Sequence, residues 1–348
     1  MIAEKSDNRL LWIDVVKGLA ILGVILQHTL QRTIYYFDQA DNFILTISNH
    51  FVASVNMQWF FAVSGIVYFL KREQYLANPL YFFKTRFYDL IIPYLIFGPL
   101  VWLGKFVLSA YVRYEVSVDD LLQMFVTPIA FMWFIYVLFF IEIIVYLVDK
   151  YIRGQYGIIL LCYFAVYVAL VLTTGRGKDV FHLTSYYLFW YYLGGFFVYY
   201  KEKLSDRKLI YINGICWIIL FSIYTIWKIL SVNILFSKLL IIGYTMCSVL
   251  FVLLICQQYA RFGRLSLALN YFGRKSMYLY ILNPIIINGT REILIKCGIN
   301  NMYVNMIAFF LSAIVIACLI AKIAKHVSYV EFPFSPRKYL LKKTHQHD

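Results

Sequence analysis

The chain is short of charge. Of its 348 residues only 14% are Asp, Glu, Lys or Arg, while 62% are hydrophobic. A soluble domain carries about 25% charged and about 45–50% apolar residues. That excess of apolar side chains excludes a compact water-soluble core of this length, and lipid must solvate much of the surface. Acidic residues are scarcest, 18 against 32 basic ones, which leaves a formal charge of +14. The basic residues cluster between apolar runs, so membrane topology accounts for them and nucleic-acid binding is not expected. Six cysteines are present, but none forms a CxxC pair and nearly all sit within apolar runs. They read as small core residues, with no disulfide framework and no metal site indicated. There is no internal repeat and no low-complexity tract. Aromatics, by contrast, are abundant at 20%, with 31 Tyr and 30 Phe. Tyrosine suits membrane interfaces, where one end of the ring is wet and the other dry.

A membrane span needs about twenty mostly apolar residues. Candidates lie at 10–30, 47–70, 88–110, 124–148, 156–173, 183–200, 209–228, 234–256, 274–294 and 303–324. They predict an all-α polytopic bundle of about ten transmembrane helices, a single integral-membrane domain over 1–348. The connections between spans are brief. The first run is long enough to span and no small-residue cleavage site follows it, so it reads as a permanent helix and not a signal peptide. Placing the amino terminus inside puts 23 of the 32 Lys and Arg on inside segments and 9 outside. The positive-inside rule then predicts cytoplasmic placement of both termini.

Three ionisable residues lie in or beside the first span: Asp14, Lys17 and His28. Each costs several kcal/mol if it faces lipid, so each must face protein or a wet cavity. Lys17 and His28 are eleven residues apart, close to three full turns, on one stripe and about 16 Å apart along the axis. Asp14, three residues before Lys17, shares that face and can pair with it. A buried salt bridge with a satisfied histidine is the plainer reading; a functional stripe is the other. The remaining histidines fall at span edges, in loops or in the tail, so His28 is the one placed to take a proton from a hydroxyl. In the second span, Ser64-Gly65 permits close helix packing. Lys84 and Arg86 form a basic entry to a third span kinked by Pro93, either a topology signal or a cationic seat for a phosphate-bearing donor. Trp133 opens a later span beside Met132 and Phe134.

These segments together resemble a known family. Trp12-Ile-Asp14-x-x-Lys17-Gly18, with His28 ten residues further on, resembles the opening signature of the bacterial integral-membrane acyltransferase 3 family. Phe60-Phe61-Ala-Val-Ser64-Gly65 is similar to its second-helix segment. Lys84-Thr85-Arg86 with Ile92-Pro93-Tyr94 is similar to its basic motif, Met132-Trp133-Phe134 to its WF motif, and Phe272 to Tyr280 to its late G-x-x-S-x-x-x-Y segment, which includes Ser276. The resemblance implies transfer of an acyl group, usually acetyl, from acyl-coenzyme A to a hydroxyl of a surface polysaccharide or its lipid-linked precursor. It implies that His28 is catalytic and that Lys17 and Arg86 lie near it or at the donor site. Two positions depart from the pattern. Asp89 stands where a second arginine often follows the first, and Asn283 stands just before Pro284 where a histidine often follows the tyrosine. Asn283 can offer only a neutral hydrogen bond. The working assignment makes His28, Asp14 and Lys17 catalytic, and Lys84, Arg86, Ser64, Trp133, Ser276, Tyr280 and Asn283 donor- or substrate-binding. The alternative is a transporter or exporter of a polysaccharide or small acylated metabolite, with the same polar stripe lining its pathway.

Overall fold

A computed structural model describes residues 2–107, 117–204, 206–230, 233–260 and 263–341. Every regular element in them is helical. In order these are α1 (Ile2–Tyr36), α2 (Phe43–Ala53), α3 (Asn56–Ala77), α4 (Pro79–Arg86), α5 (Ile92–Val107), α6 (Val118–Leu122), α7 (Trp133–Tyr151), α8 (Tyr156–Leu172), α9 (Val180–Leu204), α10 (Arg207–Ile229), α11 (Ile234–Tyr259), α12 (Arg264–Arg274), α13 (Ser276–Lys296), α14 (Met302–Ala324), α15 (Ser328–Glu331) and α16 (Pro336–Leu340). Among the described residues seven stretches are long and apolar enough to cross a membrane. The protein is therefore an all-α polytopic membrane bundle. Of the other three expected spans, α8 is an apolar helix of 17 residues. The remaining two are α9, which carries six tyrosines, and α13, which carries Asn283, Asn288, Arg291 and Glu292.

Lipid as solvent inverts the usual pattern of sizes. On α14 the large Ile307, Leu311, Val315 and Leu319 are exposed, while Ala313, Ala317 and Ala321 are buried. Small residues turned inward let backbones approach and gain dispersion contacts. The same rule acts at two glycine pairs. A Cβ on Gly65 would strike the carbonyl of Tyr191, and one on Gly194 that of Ala62, which fixes α3 and α9 as antiparallel neighbours in backbone contact. A Cβ on Gly18 would strike the carbonyl of Leu269, and one on Gly273 that of Asp14, so α12 runs antiparallel along α1.

Three spans differ from their sequence outlines. In the third, a π-helical turn, Phe87–Ile91, precedes Pro93, with Ile92 N–H bonded to Phe87 O. Such a turn is a recognised cause of a kink. The fourth becomes regular helix only at Trp133. Before it, Ala130 takes a positive φ of 49° and two short 3₁₀ turns carry the chain. Irregular backbone at this depth needs partners; Tyr94 donates to Met124 O at 2.6 Å, Tyr136 to Phe125 O at 3.2 Å and Val180 N–H to Val126 O at 2.8 Å. The span drawn at 274–294 begins after a break at Lys275, with α12 as a separate helix before it. The tyrosines divide: Tyr68, Tyr75, Tyr94, Tyr146, Tyr187 and Tyr191 are almost fully buried in the bundle, while Tyr151, Tyr211, Tyr259, Tyr303 and Tyr329, at or near helix ends, are exposed.

Candidate active site

Proline at position 284 lacks an N–H, so the carbonyl of Tyr280, four residues back, loses its helical donor. The side chain of Asn283 replaces it. Its Nδ2 donates to Tyr280 O at 2.9 Å and to Leu279 O at 2.7 Å. Both amide hydrogens are thereby committed to acceptors, which leaves Oδ1 as the face turned to α1. There it lies 2.8 Å from His28 Nδ1. An amide oxygen only accepts, so this network assigns the proton to Nδ1 and leaves Nε2 as the basic nitrogen. A neutral imidazole held in this tautomer can take a proton from a hydroxyl at Nε2. Between Lys17 and His28 on this face, Ile21 and Val24 are apolar and buried, and Gln27, next to His28, accepts from Asn56 Nδ2 at 2.7 Å.

The aromatic segments close around the same end of α13. Tyr280 donates to the carbonyl of Phe131, and its ring packs on Phe134 at 5.6 Å. Phe134 in turn meets Phe61 at 4.9 Å and Phe60 at 5.4 Å. Trp133 stacks on Tyr187 at 5.2 Å, and Tyr187 on Phe61 at 4.4 Å. Segments far apart in sequence, on α1, α3, α7 and α13, thus converge. Ser64 stands half-buried beside the Gly65 contact with α9.

Asp14 and Lys17 are not part of this cluster. The eleven-residue offset from Lys17 to His28 along α1 holds the pair about 16 Å away along the axis. Lys17 Nζ lies 3.6 Å from Asp14, and Arg274 Nε lies 3.6 Å from the other oxygen of the same carboxylate. Ser276 begins α13 at this end, two turns before Asn283. Arg86 also departs from its expected role as an open cation. It turns into the bundle, 3.2 Å from Glu142, and donates to the hydroxyl of Tyr75 at 2.5 Å. Lys84 is exposed. Asp89, in the place of a second arginine, accepts from Arg337 of α16 at 2.9 Å. The site residues therefore divide between two poles, a His28 pole and a charged pole around Asp14.

Sequence reasoning missed Glu142, Arg337 and the buried pair of Arg72 with Asp149, 3.0 Å apart. Glu142 had a visible signal, a lone carboxylate inside the apolar run of α7, which requires a partner. Arg337 had none, because its partner lies 248 residues away.

A family model described as an acyltransferase domain matches residues 10–323, from the start of the first apolar run to the end of α14. No curated protein and no solved structure matches the chain.

Proposed function

The chain belongs to the acyltransferase 3 family, and from that premise we propose that it is an O-acyltransferase that carries an acyl group, acetyl first among candidates, from acyl-coenzyme A to a hydroxyl of a surface polysaccharide or its lipid-linked precursor. The observation that carries this reading is the hydrogen bond between His28 Nδ1 and Asn283 Oδ1. It supports His28 Nε2 as general base. The acceptor hydroxyl gives its proton to Nε2 as its oxygen attacks the thioester carbonyl. The carbon–sulfur bond breaks, and the coenzyme A thiolate leaves with that proton from the imidazolium. Asn283 is a positioning residue. As a neutral amide it orients the ring and adds no charge to stabilise the imidazolium.

The two poles suit a long donor. The charged pole, with Lys17 and Arg274 beside Asp14, takes phosphates together with the exposed Lys84, and the pantetheine arm would reach along the bundle to His28. Asp14 and Lys17 serve at that donor end. Tyr280 shapes the wall beside Asn283, and Trp133 extends that aromatic wall through Phe134. Within this reading the three further helices, α8, α9 and α13, also cross, giving about ten spans with both termini cytoplasmic.

The test is coenzyme A release on adding acetyl-coenzyme A and candidate glycans to the purified protein. General base action contributes about 10²–10⁴-fold. His28→Gln keeps volume and hydrogen bonding but removes the useful basicity, so transfer should fall by about that factor in a protein that still purifies. A stable Gln variant with near-normal transfer would remove His28 from the mechanism. Movement of glycan without coenzyme A release would identify an exporter instead.

A further inference from the structure

The chain beyond α14 folds back on the bundle. Phe334 is buried, its ring stacked on Tyr278 of α13 at 4.2 Å and packed on Phe97 of α5 at 4.8 Å. Glu331 accepts from Lys338 and from Tyr339, each at 2.5 Å, which closes the segment on itself. This anchored strap carries Arg337 to the π-turn, where Nη1 meets Asp89 at 2.9 Å. It lies outside the matched residues 10–323.

The strap ends in a crowd of cations. Lys71, exposed near the end of α3, lies within electrostatic reach of Arg337, Arg86 and Lys17 and of the Asp89 carboxylate. Arg274 joins through Asp14. Lys17 and Arg274 flank Asp14, Arg337 meets Asp89 and Arg86 meets Glu142, four cations against three carboxylates, with exposed Lys71 as a fifth cation. Glu142 neutralises Arg86 inside the bundle, and the surplus positive charge sits at the rim. A solvated basic face would also show such a surplus. A folded segment that delivers one more cation to it, at the cost of ordering its own chain, is harder to explain that way. A guanidinium carries five N–H donors in a planar fork. Arg337 engages Asp89 through Nη1 and keeps 35% of its side chain exposed, so the fork retains donors for a phosphate.

We propose that the strap completes the donor site, with Arg337, Lys71 and Lys17 seating the phosphates of acyl-coenzyme A. This rests on the acyltransferase reading above. Arg337→Ala and Asp89→Asn break the same ion pair, so they separate a ligand role from a mere fastening. Coenzyme A binding to the full chain in lipid nanodiscs is the readout. Arg337→Ala should raise Kd at least about tenfold, the scale of one charge-assisted hydrogen bond. Arg337→Lys should recover part of the loss. Asp89→Asn, which removes an anion from the seat, should leave Kd unchanged or lower it. An unchanged Kd in Arg337→Ala, or an equal loss in both variants, would overturn the strap as a donor element while leaving the acyltransferase reading intact. A wild-type protein that binds no coenzyme A would overturn both.

Discussion

Glu142 illustrates what one residue costs and what it obtains in return. It lies among Phe139, Phe140, Ile141, Ile143 and Ile144, almost wholly buried, and its carboxylate faces Arg86 at 3.2 Å. Breaking a buried pair by removing one partner strands a charge and costs about 3–5 kcal/mol, whereas replacing both partners with apolar groups is often neutral. Glu142→Ala should therefore lower stability by about that amount, and Arg86→Met with Glu142→Leu by much less, read as thermal melting in detergent. A double variant as unstable as the single would show that Arg86 is needed for more than Glu142. The same reasoning changes what Arg86→Ala can report: a loss of donor binding there would arrive through the fold. Asn283 is the complementary case. Its identity was legible as a departure from the family pattern. Its role was not, because the amide's orientation depends on Pro284 in its own helix and on His28, 255 residues away.

At the scale of elements, backbone contact sets the arrangement of α1 and α12. Gly18 and Gly273 each face a carbonyl of the opposite helix, too close for a Cβ. Gly273→Leu must push α12 off α1, disturbing the Asp14–Arg274 contact with it, and overpacking of this kind costs about 1–3 kcal/mol. Gly289→Ala, in α13 but with open space around the new methyl, should leave the melting temperature unchanged. Equal melting temperatures for both variants would show that the close approach is dispensable. Neither α12 nor the π-turn was readable beforehand. At 11 residues α12 is too short to span, and its buried side, Leu269, Asn270 and Gly273, is set by the close approach to α1 while Leu265 and Leu267 stay exposed. The long lipid-facing helices were readable, because their signal is composition alone.

For the whole molecule, the proposed ten-span arrangement places 23 cations inside and 9 outside, the bias that the positive-inside rule favours. A reporter inserted near Ala77 should face the cytoplasm, and so should one fused after Asp348, which lies outside the described residues. A periplasmic signal from either would break the ten-span arrangement. Composition by itself determined that lipid is the solvent, and hydropathy determined roughly where the helices run. The cost of an imidazole in lipid, together with its phase against Lys17, singled out His28. Tertiary structure alone decided which polar groups meet: His28 with Asn283, Arg86 with Glu142, Asp89 with Arg337. The physical reason is the range of the forces involved. Hydropathy and helical phase are properties of neighbouring residues and can be read along the chain. A buried charge or amide states only that it needs a partner, and which partner it finds is settled when distant helices pack.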